Sequence, residues 1–289
     1  MFRKFLYGLM FGAGFAVAVL AVFTGYMYLR FAIPFYWVGP EEVSSGDAVR
    51  EVPEIKVRQR FLGSTGVTSG DFEHGSDAVL TAGPGEITGL ATANGKPVAD
   101  LRLRLALNGS VYSQWVVTDV RGEYRISVPY GEYRIDGYDL DHESANRVLT
   151  GLISHPGQYY GRATFLVAES EPGRGMSFRF VTPVTTHFDK RRFDAGESVT
   201  VRWDAYPGAT QYRLQVAERA DPDDWRSTYI FDFSDRPSVL DTEAELRSLG
   251  AALKPGYAYS VHVQALDENM RVLSETPHSF RDTDFEIAK

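Results

Sequence analysis

Period-two alternation of apolar and polar residues recurs along the chain from residue 85 onward. Leu101, Leu103, Leu105 and Leu107 alternate with Arg102, Arg104 and Ala106, which places the leucines on one face of a half-buried strand. Tyr259, Val261, Val263 and Ala265 alternate in the same way with Ser260, His262 and Gln264. Gly122-Glu123-Tyr124-Arg125-Ile126 returns nine residues later as Gly131-Glu132-Tyr133-Arg134-Ile135, with Pro129-Tyr130 just ahead of the second copy. Two strands joined by a tight turn would set Tyr124, Ile126, Val128, Tyr133 and Ile135 against one core, so the pattern predicts a β-hairpin. Between Asp241 and Leu253, Thr242, Glu243, Glu245, Leu246 and Leu249 favour one or two helical turns.

The N-terminus follows a different rule. Phe5 to Leu29 are 25 residues without Asp, Glu, Lys or Arg, preceded by Arg3 and Lys4 and followed by Arg30. At about 1.5 Å per residue, such a helix crosses a hydrocarbon core of roughly 30 Å with some tilt. A cleaved signal peptide is the competing reading, and Ala16-Val17-Ala18 fits a small-x-small cleavage pattern. Cleavage there would leave Val19 to Phe23 and Met27 on the new terminus, which favours an uncleaved anchor. The basic flank keeps the short end in the cytoplasm, and Tyr26, Tyr28, Phe35, Tyr36 and Trp37 crowd the outer boundary. Gly8, Gly12 and Ala16 form a small-residue stripe that would permit close helix–helix contact, although small residues are common in membrane helices.

Turn chemistry dominates residues 38–83, with Gly39-Pro40, Ser44-Ser45-Gly46, Gly63-Ser64-Thr65-Gly66 and Gly83-Pro84-Gly85 between short apolar stretches. We read this segment as an extended extracytoplasmic stalk, within which Arg58 to Leu62 could add one strand to a neighbour. The expected organisation is a cytoplasmic tip and transmembrane anchor over 1–37, the stalk over 38–83, and two tandem β-sandwiches over 84–184 and 185–289. The fold class is mainly β.

Gly85-Glu-Ile-Thr-Gly, Asn94-Gly95-Lys96-Pro97-Val98 and Thr118-Asp119-Val-Arg-Gly122-Glu-Tyr124-Arg-Ile126-Ser-Val128-Pro-Tyr-Gly131-Glu-Tyr133 together resemble the carboxypeptidase regulatory-like (transthyretin-like) β-sandwich. That resemblance covers about 50 residues closely and implies a folding, spacing or binding module without peptidase chemistry. Met176 to Val181 would be its last strand. Ser198 to Trp203, Pro207 to Val216 and Leu253 to Ala265 are similar to strands B, C and F of a fibronectin type III domain. The likeness implies that Trp203 is the core tryptophan and that Tyr259 occupies the tyrosine corner. No Arg-Gly-Asp sequence is present.

Composition narrows the chemistry. The 289 residues include no Cys, which excludes disulfides, thiolate metal sites and a cysteine nucleophile. The formal net charge is −8, and three of the 30 basic residues but none of the 38 acidic ones precede residue 31. The exterior part is therefore more acidic still, which disfavours nucleic acid and anionic membrane surfaces as partners. No metalloprotease, hydrolase-elbow, phosphate-loop or dinucleotide motif occurs. His74, His142, His155, His187, His262 and His278 form no sequence-local ligand pair, and His262 is expected to face solvent by strand parity.

Asp136, Asp139, Asp141 and Glu143 are the best acidic cluster. In an extended chain the last three project to one side and offer hard oxygens to Ca²⁺, but they lack the EF-hand order, and a solvated loop at the sandwich end is the preferred reading. Lys190-Arg191-Arg192 reads as a polar strand edge rather than an anion site. Asn108-Gly109-Ser110 meets the glycosylation sequon and also makes a hairpin turn, which explains it without a sugar. Trp115 and Trp225 are candidates for sugar stacking or for packing.

These readings converge on a non-enzymatic, single-pass protein of a bacterial inner membrane, with its bulk in the periplasm. It would bind lipid through residues 5–29, need no cofactor, and serve as an accessory or scaffold subunit for other envelope proteins. The alternative is a protein that binds polysaccharide or another cell-wall ligand.

Overall fold

The computed structural model describes residues 60–73, 77–158, 164–221, 226–277 and 283–289, all within one compact unit. The architecture is mainly β, with two hydrophobic cores in succession along the chain. Among the described residues no helix is long and apolar enough to cross a membrane. The Phe5–Leu29 run, with Gly8, Gly12 and Ala16, lies outside the described residues, as do His74, Trp225 and His278.

In the first module, strand Arg102–Leu107 lies antiparallel to Ile135–Leu140, with Leu105 opposite Tyr138. Facing it, Gly85–Ala93 pairs antiparallel with Glu123–Val128, Ile87 opposite Ile126, and parallel with Phe178–Val181 on its other side. The leucines at 101, 103, 105 and 107 are fully buried between the two sheets with Ile87, Ile126, Tyr124 and Phe178. Ala106 is buried too, so the polar face of that strand is held by Arg102 and Arg104 alone.

Four expectations are corrected by the fold. The expected hairpin does not form: Glu123–Val128 pairs with Gly85–Ala93, whereas Gly131–Tyr133 pairs with Phe165–Val167. Tyr124, Ile126, Val128, Tyr133 and Ile135 are nevertheless all buried in one core. Period two fixes the buried face of each strand, while the partner on each edge is a tertiary choice.

The described part of the expected stalk is folded onto the first module rather than extended. Phe61 meets Phe180 edge-on at 5.6 Å, and Gly66–Thr68 adds a strand to Ile135–Leu140 with Val67 opposite Tyr138. Phe72 packs on Tyr112 at 4.9 Å. The added strand is admitted by Gly137, where a Cβ would come within 2.0 Å of the Val67 carbonyl oxygen. The first module thus begins before residue 84.

The acidic stretch is a strand followed by a helix, not a loop. Asp136 and Asp139 lie in Ile135–Leu140, Asp141 caps the helix His142–Val148, and Glu143 sits in its first turn.

In the second module, Gln211–Arg219 and Ala258–Leu266 pair antiparallel over nine residues, and Thr186–Phe188, Thr200–Trp203 and Glu243–Glu245 form the other sheet. Glu243–Glu245, expected in helical turns, is a strand on Thr200–Trp203 that runs into turns over 246–250. Val201, opposite Ala244, sits in the core and recruits that segment to the sheet.

Candidate functional site

The two modules meet at a short connector whose backbone is clamped from both sides. Asn94 closes a tight turn with Gly95, both at positive φ, between Gly85–Ala93 and Lys96–Pro97. Its Oδ1 accepts from the Thr182 backbone N–H at 3.0 Å and its Nδ2 donates to Thr182 Oγ1 at 3.1 Å. From the second module, Ser274 Oγ donates to the Thr182 carbonyl at 2.6 Å, and the Val184 N–H donates to the Glu275 carbonyl at 3.0 Å. Side chains of both modules therefore hold residues 182–184, the interval in which a flexible linker would otherwise turn.

Beside this connector opens a cleft of about 350 Å³ lined by Leu62, Pro183, Gln215, Tyr229, His262 and Asp284 among others. Gln215 and His262 line it from one sheet face, and a polar network outside the cleft adjoins them on that face. Gln215 is paired opposite His262, and Gln264 opposite Glu275. Gln264 Nε2 donates to Glu275 Oε2 at 2.8 Å, His262 Nε2 lies 3.4 Å from the same oxygen, and Arg236 Nη1 donates to Gln264 Oε1 at 3.2 Å. His262 does point off the core as strand parity requires, but it is only partly exposed and faces Glu275. On the first module's side of the connector, burial and then the positive charge of Arg179 hold the His155 imidazole below its ordinary range, while Glu275 acts in the opposite direction.

The acidic candidates are not brought together as one ligand set. Asp136, fully buried, accepts from Arg134 Nε at 2.7 Å and from the Gly109 N–H at 2.7 Å. Asp139 receives Arg104 Nη2 at 2.7 Å and Arg104 Nε at 2.8 Å. Asp141 accepts from the Ser144 N–H at 3.0 Å; this bond, then the Ser144 hydroxyl and Arg102, holds its carboxyl below the usual range against a desolvation contribution. Among the described residues no group of three or more His, Asp or Glu has metal-binding geometry.

Arg102 and Arg104 also cover Trp115, their guanidinium carbons 5.0 and 4.9 Å from its ring, and Arg104 lies 3.7 Å over Tyr112. These cations already occupy ring surface that a stacking sugar would use. The Asn108 side chain is likewise engaged: Oδ1 accepts from the Arg134 N–H at 2.8 Å and Nδ2 donates to the Glu132 carbonyl at 3.2 Å. Asn108 and Gly109 are both at positive φ in the turn between Arg102–Leu107 and Val111–Tyr112. In the basic run, Lys190 is tied to Glu197 and Arg192 belongs to strand Arg192–Phe193, parallel to Phe285–Ile287.

Trp203, Tyr259, Tyr124 and Tyr133 are all buried. Tyr259 stacks on Phe285 at 5.0 Å and its hydroxyl oxygen accepts from the Lys254 N–H at 2.5 Å; Trp203 meets Tyr212 at 5.3 Å. Tyr124 donates to the Met176 carbonyl at 2.8 Å and Tyr133 to the Pro129 carbonyl at 2.8 Å. Burial pushes the Tyr124 and Tyr259 hydroxyls above their ordinary range, so both stay protonated. The connector residues Thr182, Ser274 and Glu275 carried no warning in the sequence, since a clamp between modules has no periodicity.

No protein-family model and no curated protein matches the chain. Among solved structures, a DUF3823 family protein from Bacteroides ovatus aligns at 12% identity over 72% of this chain and 99% of that one, with a TM-score of 0.21. A DUF3823 family protein from Parabacteroides merdae aligns at 11% identity over 66% and 95%, with a TM-score of 0.18. The Bacillus anthracis TIE protein aligns at 10% identity over 71% of this chain and 32% of its own length, with a TM-score of 0.22. Likenesses this distant assign no function.

Proposed function

We propose that the protein is a membrane-anchored, extracytoplasmic accessory or scaffold subunit of a bacterial inner membrane, acting through protein–protein contact rather than catalysis. The carrying observation is the 25-residue uncharged run Phe5–Leu29 behind Arg3 and Lys4, set ahead of a mainly β exterior part. The first module is read as carboxypeptidase regulatory-like on its Thr118–Tyr133 motif and the second as fibronectin type III-like on Trp203 and Tyr259, both folds that serve as interaction and spacing units. The absence of a recognised catalytic motif is consistent with this reading, and the clamp at Thr182 gives such a scaffold a fixed joint. Fold alone does not assign function. The test is extraction of the full-length protein from its native membrane in mild detergent, beside a version lacking residues 1–37. A stoichiometric membrane partner retained with the full chain is the expected outcome; a protein that runs alone in both forms overturns the assignment.

A further inference from the structure

The chain contains two Asn-Gly steps, Asn94-Gly95 and Asn108-Gly109, and both fold into a left-handed pair. Asn94 and Gly95 stand at φ 47° and 77°, Asn108 and Gly109 at 52° and 77°, a conformation that Asn-Gly adopts readily between adjacent strands. Such a step carries its own reaction. The glycine backbone nitrogen can attack the asparagine Cγ: an N–Cγ bond forms, the Cγ–Nδ2 bond breaks, and the proton given up by the attacking nitrogen leaves with Nδ2 as ammonia. Water then opens the resulting succinimide at either carbonyl and yields aspartate or isoaspartate. Water is the one co-reactant, and the missing glycine side chain leaves the attacking nitrogen unshielded.

The two carboxamides are restrained alike. Each accepts one backbone N–H at Oδ1 and donates once from Nδ2, Asn94 with Thr182 and Asn108 with Arg134 and Glu132, and all four bonds lie at exposed groups. What separates the two steps is the attacking nitrogen. The Gly109 N–H donates to Asp136 Oδ2 at 2.7 Å, and that carboxylate is itself fully buried and held by Arg134. Gly109 must therefore give up a charge-assisted bond before it can attack. The Gly95 N–H makes no hydrogen bond among the described residues. Gly95 is exposed, and a Cβ built on it would meet nothing within 4 Å.

We propose that Asn94-Gly95 is a self-modification site whose isoaspartate product releases the connector from the first module, while Asp136 protects Asn108-Gly109. In isoaspartate the main chain runs through Cβ and Cγ, so the free carboxylate hangs directly on Cα. The turn gains one backbone atom, and the pendant group loses the methylene through which Asn94 reaches Thr182. The aspartate product keeps both side-chain oxygens in place to accept from the Thr182 N–H and hydroxyl. Only the isoaspartate form therefore unfastens this side of the clamp.

The test incubates the full-length protein in mild detergent at mildly alkaline pH, which favours loss of the glycine N–H proton, and follows the amide-to-acid mass change at each step by peptide mapping. Conversion at Asn94 should run about ten-fold or more faster than at Asn108, the factor expected when a hydrogen bond to a charged group must break before attack. In urea, where Asp136 no longer holds Gly109, the two rates should become comparable. Equal rates in the folded chain, or an Asn94 that converts only in urea, would overturn the site. Rates that stay equally far apart in urea would overturn the protection by Asp136. The variant Gly95→Ala, with its fold checked by thermal midpoint, should slow conversion at Asn94 several-fold because a Cβ shields the nitrogen; an undiminished rate would show direct hydrolysis and overturn the route. Finally, the separated isoaspartate fraction should take up deuterium faster than the unconverted protein over the peptide containing Thr182. Equal uptake would overturn the release of the connector.

Discussion

Two turns show how a single backbone conformation is solved with different residues. Asp119 Oδ1 accepts from the N–H groups of Arg121 and Glu123 at 2.8 and 2.9 Å, and Asp267 Oδ1 accepts from those of Asn269 and Arg271 at 2.9 and 2.8 Å. The fourth residue of each turn is left-handed: Gly122 at φ 74° in the first and Met270 at φ 62° in the second. A left-handed non-glycine residue costs roughly 1–2 kcal/mol, partly offset by the freedom glycine adds to the unfolded chain. Met270→Gly should therefore stabilise the protein by about 0.5–1 kcal/mol, less whatever its surface contact with Gln211 contributes. Gly122→Ala should do the reverse and more, since its Cβ would also come within 2.4 Å of the Ala91 carbonyl oxygen. Urea midpoints of the two variants check this, and a destabilised Met270→Gly would refute the account.

Among the described residues the helix His142–Val148 is the one α-helix, and its start engages one of the acids around it. Seven residues are too few to be stable alone, so the segment depends on its cap and on burial of Ala145 and Leu149. Asp141 supplies the cap, and Ser144 Oγ in turn accepts from the Arg102 N–H at 3.1 Å, joining the helix start to the neighbouring strand. Asp141→Ala should cost about 1 kcal/mol at neutral pH. Because the folded-state pKa of Asp141 is lowered, its contribution is present above the ordinary aspartate range and is lost as pH falls through the folded value. The difference between parent and Asp141→Ala should therefore shrink on acidification below about pH 4, as read from denaturation midpoints across pH. A difference that stays constant there would show that the carboxylate charge is not what caps the helix.

For the whole molecule the governing feature is the joint. Each module has its own core, so neither needs the other for its burial, and the hydrogen bonds around Thr182 and Val184 couple them. Each such bond contributes about 1 kcal/mol. The double variant Asn94→Ala/Ser274→Ala should leave both cores intact and free the joint, so that ¹⁵N relaxation reports a shorter correlation time for each module than in the parent. Unchanged correlation times in a folded variant would show that the surrounding packing, not the clamp, fixes the joint.

The alternation of Leu101 to Leu107 and of Tyr259 to Ala265 determined by itself which side chains are buried, because side-chain direction in a strand depends on nothing beyond the local backbone. The Asn108-Gly109 turn was equally legible, since left-handed φ is available cheaply to few residues. Strand partners were not: the Gly122 and Gly131 repeats look like a hairpin, yet each strand pairs with a segment far away in sequence, because edge hydrogen bonds are made by backbone groups common to every residue. The same limit hid the strand Gly66–Thr68 and turned Glu243–Glu245 from expected helix into sheet, since a three-residue segment takes its conformation from the neighbour that completes its hydrogen bonds. Only the tertiary structure dispersed Asp136, Asp139 and Asp141 among an arginine, another arginine and a helix cap, because spacing along the chain says which carboxylates are near in sequence and not which cations the fold brings to them.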